Sequence, residues 1–409
     1  MDSLILSGFR VNMSNTAIRY APLMGASDEA YDATETNESV PISPAGTLSK
    51  LYVIVQTAPG AGKSRTFTLM LDGSTTALVV TISGTNTTGS DTTNSVSVTA
   101  GQNVSLKLEP TSTPASSNAH WGVQFTGTTS NESALLGLGT GLDATSTLRI
   151  APHGASASVG SSNALGRTLK ATAAGTIKNL YVKLTTAPGA GTSRKFEVYK
   201  GGSATALTVT ISGTATTGND TSNSFTVVAD DNLVVVETPT TSPATSRGMT
   251  GLTFSADTDG QFLIGASDTS VGTVDRYARV QAAHMDVSTA EADVQEPASI
   301  ALTIKNIYAE IDVALGAGNT MAITLDKNAS ATALTTSISG ASQVKANAAS
   351  DISIASADLL STFLDITGTP TAKRLAVGMM GFITPPAAGF PRNLTRSYLS
   401  NTGTWKAVA

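Results

Sequence analysis

The feature that most constrains the fold is an internal repeat. Residues 51–91 read LYVIVQTAPGAGKSRTFTLMLDGSTTALVVTISGTNTTGSD, and residues 180–220 read LYVKLTTAPGAGTSRKFEVYKGGSATALTVTISGTATTGND. The two segments are identical at 27 of 41 positions. A repeat of this length builds the same structural unit more than once, so the 409 residues divide into similar domains rather than one large core.

A third, more divergent copy keeps the same spacing of landmarks. Each copy has a tyrosine, a glycine ten residues later, a Ser-Gly glycine 32 residues later and a proline 62 residues later. The tyrosines are Tyr52, Tyr181 and Tyr308, followed by Gly62, Gly191 and Gly318, by Gly84, Gly213 and Gly340, and by Pro114, Pro243 and Pro370. This common frame predicts an internal triplication.

Within each copy, apolar residues alternate with polar ones. Alternation with a period of two predicts strands that have one buried face. Glycine- and asparagine-rich segments between them supply turns at short spacing. About eight short strands per copy indicate a β-sandwich, and the longer links favour a Greek-key or jelly-roll winding. In the first copy the alternating residues are Phe67, Leu69, Leu71, Leu78, Val80, Ile82, Val96 and Val98.

The chain is therefore predicted to be all-β, with three tandem jelly-roll-like β-sandwich domains. We place the domain starts by the motifs APLMGAS, APHGAS and FLIGAS, which begin at Ala21, Ala151 and Phe262. The predicted segments are an N-terminal arm at 1–19, repeats at 20–147, 148–260 and 261–385, and a C-terminal tail at 386–409.

Composition argues against several partners. Charged residues are 13% of the chain and its net charge is −5, without the clustered Lys and Arg that nucleic-acid binding needs. No stretch approaches the length of a membrane span, and the N-terminus lacks the pattern of a signal peptide. Because the chain has no cysteine, the fold rests on burial and sheet hydrogen bonds rather than disulfides.

The string GAGKS at Gly60–Ser64 resembles part of a phosphate-binding loop. Such a loop needs G-x-x-x-x-G-K-[ST] between a strand and a helix. Thr57 stands where the leading glycine is required, and the following RTFTLMLDG alternates like a strand. The other copies replace Lys63 with Thr192 and Asn319. We therefore expect a hairpin loop whose glycines tolerate positive φ, with no nucleotide or other cofactor.

Titratable residues show no catalytic pattern. The histidines stand at unlike positions in their copies and lack metal-ligand spacing. Loop carboxylates leave a calcium site open, although one carboxylate per loop falls short of the several oxygen ligands that calcium needs. We predict that the protein is not an enzyme. The residues considered are His120, His153, His284, Glu109, Glu237, Asp365, Asp91 and Asp220.

The Thr/Ser/Gly-rich repeats, with their TAPGAG and TVTISGT-like strings, resemble surface proteins of tailed-phage virions. The resemblance covers about Tyr20 to Ile383 and has no binding motif that transfers residue by residue. In that group, cysteine-free sandwich or jelly-roll modules serve as capsid decoration (cement) proteins, head fibres and tail fibres. The resemblance implies a structural protein on the outer surface of a virion, synthesised in the host cytoplasm.

We expect a decoration protein that docks on the major capsid protein or on other virion proteins. Three similar domains could imitate a trimer at a three-fold position, or the chain could itself form a homo-trimer. The arm and the tail are the expected docking segments, since arginine and aromatic residues are favoured interface anchors. The tail residues in question are Arg392, Arg396, Tyr398 and Trp405.

The alternative is a fibre or adhesin module that binds a host receptor or glycan. Trp121 is the only tryptophan inside a repeat and is the residue expected to contact a sugar.

Overall fold

Three sandwiches of β-strands follow one another along the chain. The computed structural model describes residues 1–25, 31–156, 160, 165–283, 287–347, 350–371 and 373–383. Regular structure in these residues is β-strand, apart from single turns of 3₁₀ helix at Glu35–Asn37, Leu165–Arg167 and Glu291–Asp293. The predicted all-β fold is therefore confirmed.

We number the strands in chain order and group them into three units. Unit 1 contains β1 Asp2–Phe9, β2 Arg19–Ala21, β3 Val40–Pro41, β4 Gly46–Val55, β5 Gly60–Leu71, β6 Ser74–Gly84, β7 Thr88–Val98, β8 Asn103–Thr111 and β9 Ala119–Gly127. Unit 2 contains β10 Glu132–Leu142, β11 Leu148–Ile150, β12 Ala155–Ser156, β13 Leu169–Lys170, β14 Gly175–Leu184, β15 Gly189–Lys200, β16 Ser203–Gly213, β17 Thr217–Val227, β18 Asn232–Thr240 and β19 Ser246–Ala256. Unit 3 contains β20 Gln261–Val271, β21 Arg276–Ala278, β22 Val287–Ser288, β23 Glu296–Pro297, β24 Leu302–Ile311, β25 Gly316–Lys327, β26 Ser330–Gly340, β27 Val344–Asn347, β28 Ile352–Ile354, β29 Leu359–Thr367 and β30 Lys373–Phe382.

Each unit has the strand order of a jelly roll. In unit 1 one sheet runs β1-β9-β4-β7 and the other runs β2-β8-β5-β6. The first long strand thus pairs with the last, the second with the next to last, and so on inward to the β5–β6 hairpin. Units 2 and 3 repeat this order, as β10-β19-β14-β17 with β11-β18-β15-β16, and as β20-β30-β24-β27 with β21-β29-β25-β26. The jelly-roll winding follows from these pairings.

Alternation of residue type places one face of most strands in a core. Along β4, alternate residues are buried on each side of an irregularity after Ser49, and Leu48, Leu51, Val53 and Val55 join Phe67 of β5 in the core of unit 1. Residues at the equivalent strand positions form the cores of the other two units. The period-two prediction of strands is confirmed at these positions.

The first and last strands of each unit are buried on both faces. Residues Ser3–Phe9 of β1 are all buried, and so are Glu132–Thr140 of β10. In β1, Ile5 and Phe9 face the core of unit 1, whereas Leu4 and Leu6 belong to the apolar cluster of unit 3. A strand of this kind has a continuous apolar sequence, because each face packs against protein.

The units contact one another through three equivalent interfaces. At interface 1–2, β3 of unit 1 packs on β10, β14 and β19 of unit 2. At interface 2–3, β13 packs on β20 and β30, and at interface 3–1, β23 packs on β1, β4 and β9. Unit 3 thus contacts unit 1 in the way that unit 1 contacts unit 2, and the three units close a ring.

A glycine marks the same point of each interface. A Cβ added to Gly251 would lie 2.0 Å from the carbonyl oxygen of Pro41, and one added to Gly122 would lie 2.0 Å from that of Pro297. At interface 2–3 the corresponding distance, from Gly378 to the carbonyl oxygen of Lys170, is 2.1 Å. Only a residue without a side chain permits this approach of a neighbouring backbone.

The apolar clusters cross the interfaces in the same cyclic sense. The cluster of unit 1 includes Leu136 and Met249 of unit 2, and the cluster of unit 2 includes Leu263 and Met380 of unit 3. The cluster of unit 3 takes in Leu4 and Leu6 of unit 1, as described above, and Met1 and Ile383 both pack against it. Hydrophobic burial therefore holds the ring closed at all three interfaces.

The structure corrects the predicted segment boundaries. Residues 2–9, which the prediction placed in an arm at 1–19, form a strand of unit 1 that pairs with β9. Residues 132–142, which the prediction placed at the end of the first repeat, form the first strand of unit 2. The motif FLIGAS lies on β20, whereas APLMGAS and APHGAS begin at or just after the second strand of their units, so the three motifs are not equivalent. The origin of the units by triplication stays a prediction.

Candidate functional site

The predicted histidines lie apart. His120 is buried at interface 3–1, where its Nδ1 hydrogen-bonds the carbonyl oxygen of Gln295. His153 is buried at interface 2–3, with Nε2 3.3 Å from Ser267 Oγ. His284 lies outside the described residues. In the part of the chain that the structure describes, no three His, Cys, Asp or Glu side chains gather closely enough to hold a metal ion.

Asp91 and Asp220 tie adjacent strands together. The carboxylate of Asp91 accepts hydrogen bonds from the backbone N–H of Val79, Thr93 and Asn94 and from the side-chain amide of Asn94. Asp220 makes the equivalent bonds in unit 2. Burial alone would raise the pKa of Asp91, but these donors outweigh it and lower that pKa. Both carboxylates are thus occupied by the fold and not directed at a calcium ion.

GAGKS forms the start of a strand that follows a link between the two sheets of unit 1. Gly60–Leu71 forms β5, which pairs with β6 and β8, and no helix follows the glycines. Gly62 has a φ of 71°, and Gly191 has a φ of 72° at the same place in unit 2. The expected hairpin loop is not formed, because β4 pairs with β7 and β9 whereas β5 lies in the other sheet and pairs with β6 and β8. The glycines lie instead at an irregularity in the pairing of β5 between Gly60 and Ser64. The positive φ expected of them is confirmed, and the segment lacks the helix N-terminus that a phosphate loop requires.

The three carboxylates that seemed to match in sequence do not match in space. Glu237 pairs with Phe196 across the sheet and is buried, whereas Glu109 pairs with Thr66 and carries a half-exposed ion pair with Lys107 at 2.7 Å. Asp365 is exposed on β29. A shift of one residue along a strand reverses the face, so Glu237 alone enters a core.

Trp121 is in the core of unit 1. Its side chain is 0% exposed, and its indole N–H donates to the carbonyl oxygen of Leu23 at 3.2 Å. The ring packs near Phe9, with centroids 6.0 Å apart. The prediction that Trp121 contacts a sugar is therefore wrong, because a ligand would have to open the core to touch the indole ring. The predicted docking residues Arg392, Arg396, Tyr398 and Trp405 lie outside the described residues.

Interface 3–1 holds a buried polar cluster that local sequence motifs did not indicate. Arg279 and Glu296 are each 0% exposed and His120 is 1% exposed. The carboxylate of Glu296 accepts the backbone N–H groups of Val280 and Gln281 at 2.8 and 3.0 Å. The side chain of Gln281 reaches across the interface and accepts the N–H of Leu6 at 2.7 Å.

The other interfaces carry apolar residues at the same three places. By strand register, His120 corresponds to Met249 and Ala376. Glu296 corresponds to Val40 and Leu169, which begin the equivalent short strands β3 and β13. Arg279 is the first residue after β21, and the first residues after the equivalent strands β2 and β11 are Pro22 and Ala151. The difference between these charged residues and their apolar counterparts is seen only when the three units are aligned by their strand pairing. No sequence motif therefore indicated them.

Burial shifts the titration of this cluster. Burial raises the pKa of Glu296 to about 7, against the charge of Arg279 and the two backbone N–H donors. Burial and the charge of Arg279 lower the pKa of His120 well below its usual value, although hydrogen bonds to backbone carbonyls oppose this. The neutral imidazole is therefore the favoured form beside the guanidinium.

Two adjoining clefts open beside the cluster. The first has a volume of about 490 Å³ and is lined by unit 1 residues, among them Gln56 and His120, and by Asp293 and Gln295 of unit 3. The second, of about 480 Å³, shares Ile54, Thr88 and Leu359 with the first and includes Tyr52. Gln56 and Asp293 are hydrogen-bonded across the interface. A cleft of about 360 Å³ lies at interface 1–2, with Tyr181 in place of Tyr52.

Within the described residues, no helix is both long and apolar enough to cross a membrane. The sequence matches no protein-family model, and a search of curated proteins found no match.

Proposed function

We propose that the chain is a non-enzymatic structural protein of a virion, which decorates and stabilises the outer capsid surface. The observation that carries this proposal is the closed ring of three jelly rolls in one chain. Three like units around a common centre present similar surfaces in three directions, which suits a position of three-fold symmetry between capsid subunits. The resemblance of the repeats to tailed-phage surface proteins supports the same class.

Docking by the C-terminal tail fits the ring. Residues 2–9 and 19–21 are used in unit 1, so the N-terminal segment is not free to reach a capsid. The chain leaves unit 3 after Ile383, which packs in the same cluster as Met1. The tail that follows carries Arg392, Arg396, Tyr398 and Trp405, the residue types that anchor interfaces.

Removal of the tail tests this proposal. We expect a chain that ends at residue 385 to keep its fold, since the described sandwiches end at Ile383, but to lose binding to purified particles. Binding is measured by co-sedimentation and far-UV circular dichroism reports the fold. Undiminished particle binding by the truncated chain would contradict tail docking.

The number of copies tests the three-fold position. One chain per three-fold position of the shell is expected in an electron-microscopy map of decorated particles. A copy number equal to that of the capsid subunits would contradict the proposal, because it would place one ring on each subunit.

A second function, receptor or glycan binding by a fibre or adhesin, is favoured by the clefts at interfaces 3–1 and 1–2. Tyr52 and Tyr181 stand at equivalent places in them. The amide of Asn328 lies in the cleft of Tyr52, and the carboxylate of Asp72 lies with amide side chains in the cleft of Tyr181. An aromatic ring with a few polar groups suits a neutral sugar. Glycan-array binding by the intact chain that is lost in Tyr52→Ala and Tyr181→Ala would favour this function over decoration.

A further inference from the structure

Interface 3–1 differs from the other two in connectivity. Units 1 and 2 are joined by residues 128–131, and units 2 and 3 by residues 257–260. Such short links keep their units at a high effective concentration. Unit 1 is the first and unit 3 the last of the described units, so no short link joins them, and interface 3–1 is closed by non-covalent contacts alone.

Interface 3–1 also differs in chemistry. Arg279, Glu296 and His120 are desolvated there, at places where the other interfaces bury only apolar side chains. Moving charged groups out of water offsets much of their mutual attraction, and apolar side chains of similar volume often give greater stability. At interface 1–2, by contrast, Arg247 pairs with Asp32 and Glu38 at 2.9 and 2.8 Å while still partly exposed to solvent. Interface 2–3 also buries charge, since Lys170 is 2% exposed and pairs with Glu310 at 2.6 Å. Of the three interfaces, 3–1 is therefore set apart as the one that opens without stretching a link between its units, and its opening returns its charged groups to water.

The two surfaces of an open interface 3–1 remain complementary to each other. Unit 1 would present the outer face of β1 and β9, with Leu4, Leu6 and Gly122. Unit 3 would present β23 with Pro297 and the buried side chain of Gln281. The interface is head-to-tail, since it joins different surfaces, and such an interface can join separate chains as well as close a ring.

We propose that interface 3–1 opens and that the two surfaces it exposes bind the complementary surfaces of a second copy of this chain. Unit 3 of one copy docks on unit 1 of the other, with the contacts seen within a single ring. Two open chains then form a closed assembly of six jelly rolls. This self-association goes beyond capsid decoration and does not depend on it.

The proposal is tested by native mass spectrometry of isotopically labelled and unlabelled full-length chains mixed at low and high concentration. We expect mixed dimers that increase with concentration and with incubation time. A wild-type chain that stays monomeric, without mixed species at any concentration, would overturn the proposal.

A covalent clamp shows which surface is responsible. The chain has no cysteine, so Gln56→Cys with Asp293→Cys introduces the only two thiols, on opposite sides of interface 3–1. Joining them with a short bis-maleimide is expected to abolish mixed dimers, and the unlinked double variant is the control. Mixed dimers that persist after clamping would place the contact elsewhere and overturn the proposal.

Two further variants separate the interface from the tail. His120→Ala, Arg279→Ala and Glu296→Leu together give interface 3–1 the residues of interface 2–3, and we expect about tenfold less exchange. If this triple variant fails to fold, the cross-linked double-cysteine variant still shows whether interface 3–1 is needed for mixed dimers. A chain ending at residue 385 is expected to exchange like the full chain; loss of exchange there would assign self-association to the tail and overturn the proposal.

Discussion

At the scale of residues, one position of the β5 strand is occupied differently in each unit. Arg194 of unit 2 is fully buried and donates to Glu237 at 2.6 Å and to the carbonyl oxygen of Ala244 at 2.7 Å. Arg65 of unit 1 donates to the carbonyl oxygens of Ser14 and Ala115 and has no carboxylate beside it at the position of Glu237. Unit 3 has Met321 there, opposite Ile366. The same fold thus tolerates a buried ion pair, a buried arginine or an apolar residue.

The ion pair of unit 2 can therefore be replaced by the residues of unit 3. We expect Arg194→Met with Glu237→Leu, which copies Met321 and Leu364, to change the free energy of unfolding by about 1 kcal/mol or less, or to raise it. Arg194→Met alone leaves Glu237 buried without its partner and is expected to lower that free energy by about 3–5 kcal/mol at pH 8. Urea unfolding measures both; equal losses in the two variants would contradict the reasoning.

The single variant should also depend on pH in a defined direction. Burial raises the pKa of Glu237 in the folded chain to about 7, above its unfolded value of 4.5, although Arg194 opposes the shift. A group with a raised folded pKa supports stability fully below its unfolded pKa and loses that support as pH rises through the folded pKa. The loss caused by Arg194→Met is therefore expected to be smaller at pH 5 than at pH 8, and urea midpoints at the two values measure it.

At the scale of elements, the start of β5 explains why a familiar motif is misleading. Gly62 takes a positive φ and a Cβ there would meet nothing within 4 Å, so backbone conformation alone requires the glycine. Lys63 is the only lysine at its position among the three copies. Gly62 is thus needed for the backbone conformation at the start of β5, and we expect Lys63 to be dispensable for the fold.

Substitutions at these neighbouring positions should separate the two roles. We expect Gly62→Ala to lower the free energy of unfolding by about 1–2 kcal/mol, the cost of a left-handed conformation for a residue with a Cβ. Lys63→Ala is expected to change it by no more than about 0.5 kcal/mol. Chemical denaturation compares the two; a larger loss for Lys63→Ala than for Gly62→Ala would contradict the role assigned to the glycine.

Elements that face one core could be predicted, whereas elements that face two could not. Strands such as β4 alternate on each side of one irregularity, and their residues in the core follow from the sequence. In β1 and β10, both faces pack against protein, so DSLILSGF and ESALLGLGTGL do not alternate, and residues 2–9 looked like part of an arm. The burial of Trp121 and the cluster at Arg279 and Glu296 depend on contacts between distant segments, which no local pattern encodes.

At the scale of the whole molecule, the ring places the two ends of the folded chain together. Units 1 and 2 are linked from Gly127 to Glu132, and units 2 and 3 from Ala256 to Gln261. Met1 and Ile383 pack against the same apolar cluster, at the point of unit 3 where such a link would begin. Because the three interfaces are equivalent, a link of similar length spans this gap.

A circular permutant tests this geometry. We expect a chain that begins at residue 130, continues from residue 383 through a four-residue linker to residue 1 and ends at residue 128 to fold as a monomer. Its strands and interfaces are all retained, since only a surface connection is cut. Circular dichroism and native mass spectrometry measure the outcome, with the chain ending at residue 385 as control; an unfolded or aggregated product would contradict ring closure.

The three units of the ring belong to one chain, and this affects how the surfaces of the ring can change. In a ring of three identical chains, every substitution is made three times, so the three faces remain alike. Here each substitution is made once, and interface 3–1 carries Arg279, Glu296 and His120 whereas the other interfaces are apolar at those places. Each unit can therefore be adapted separately to a different neighbour, and a symmetric site can be given a direction.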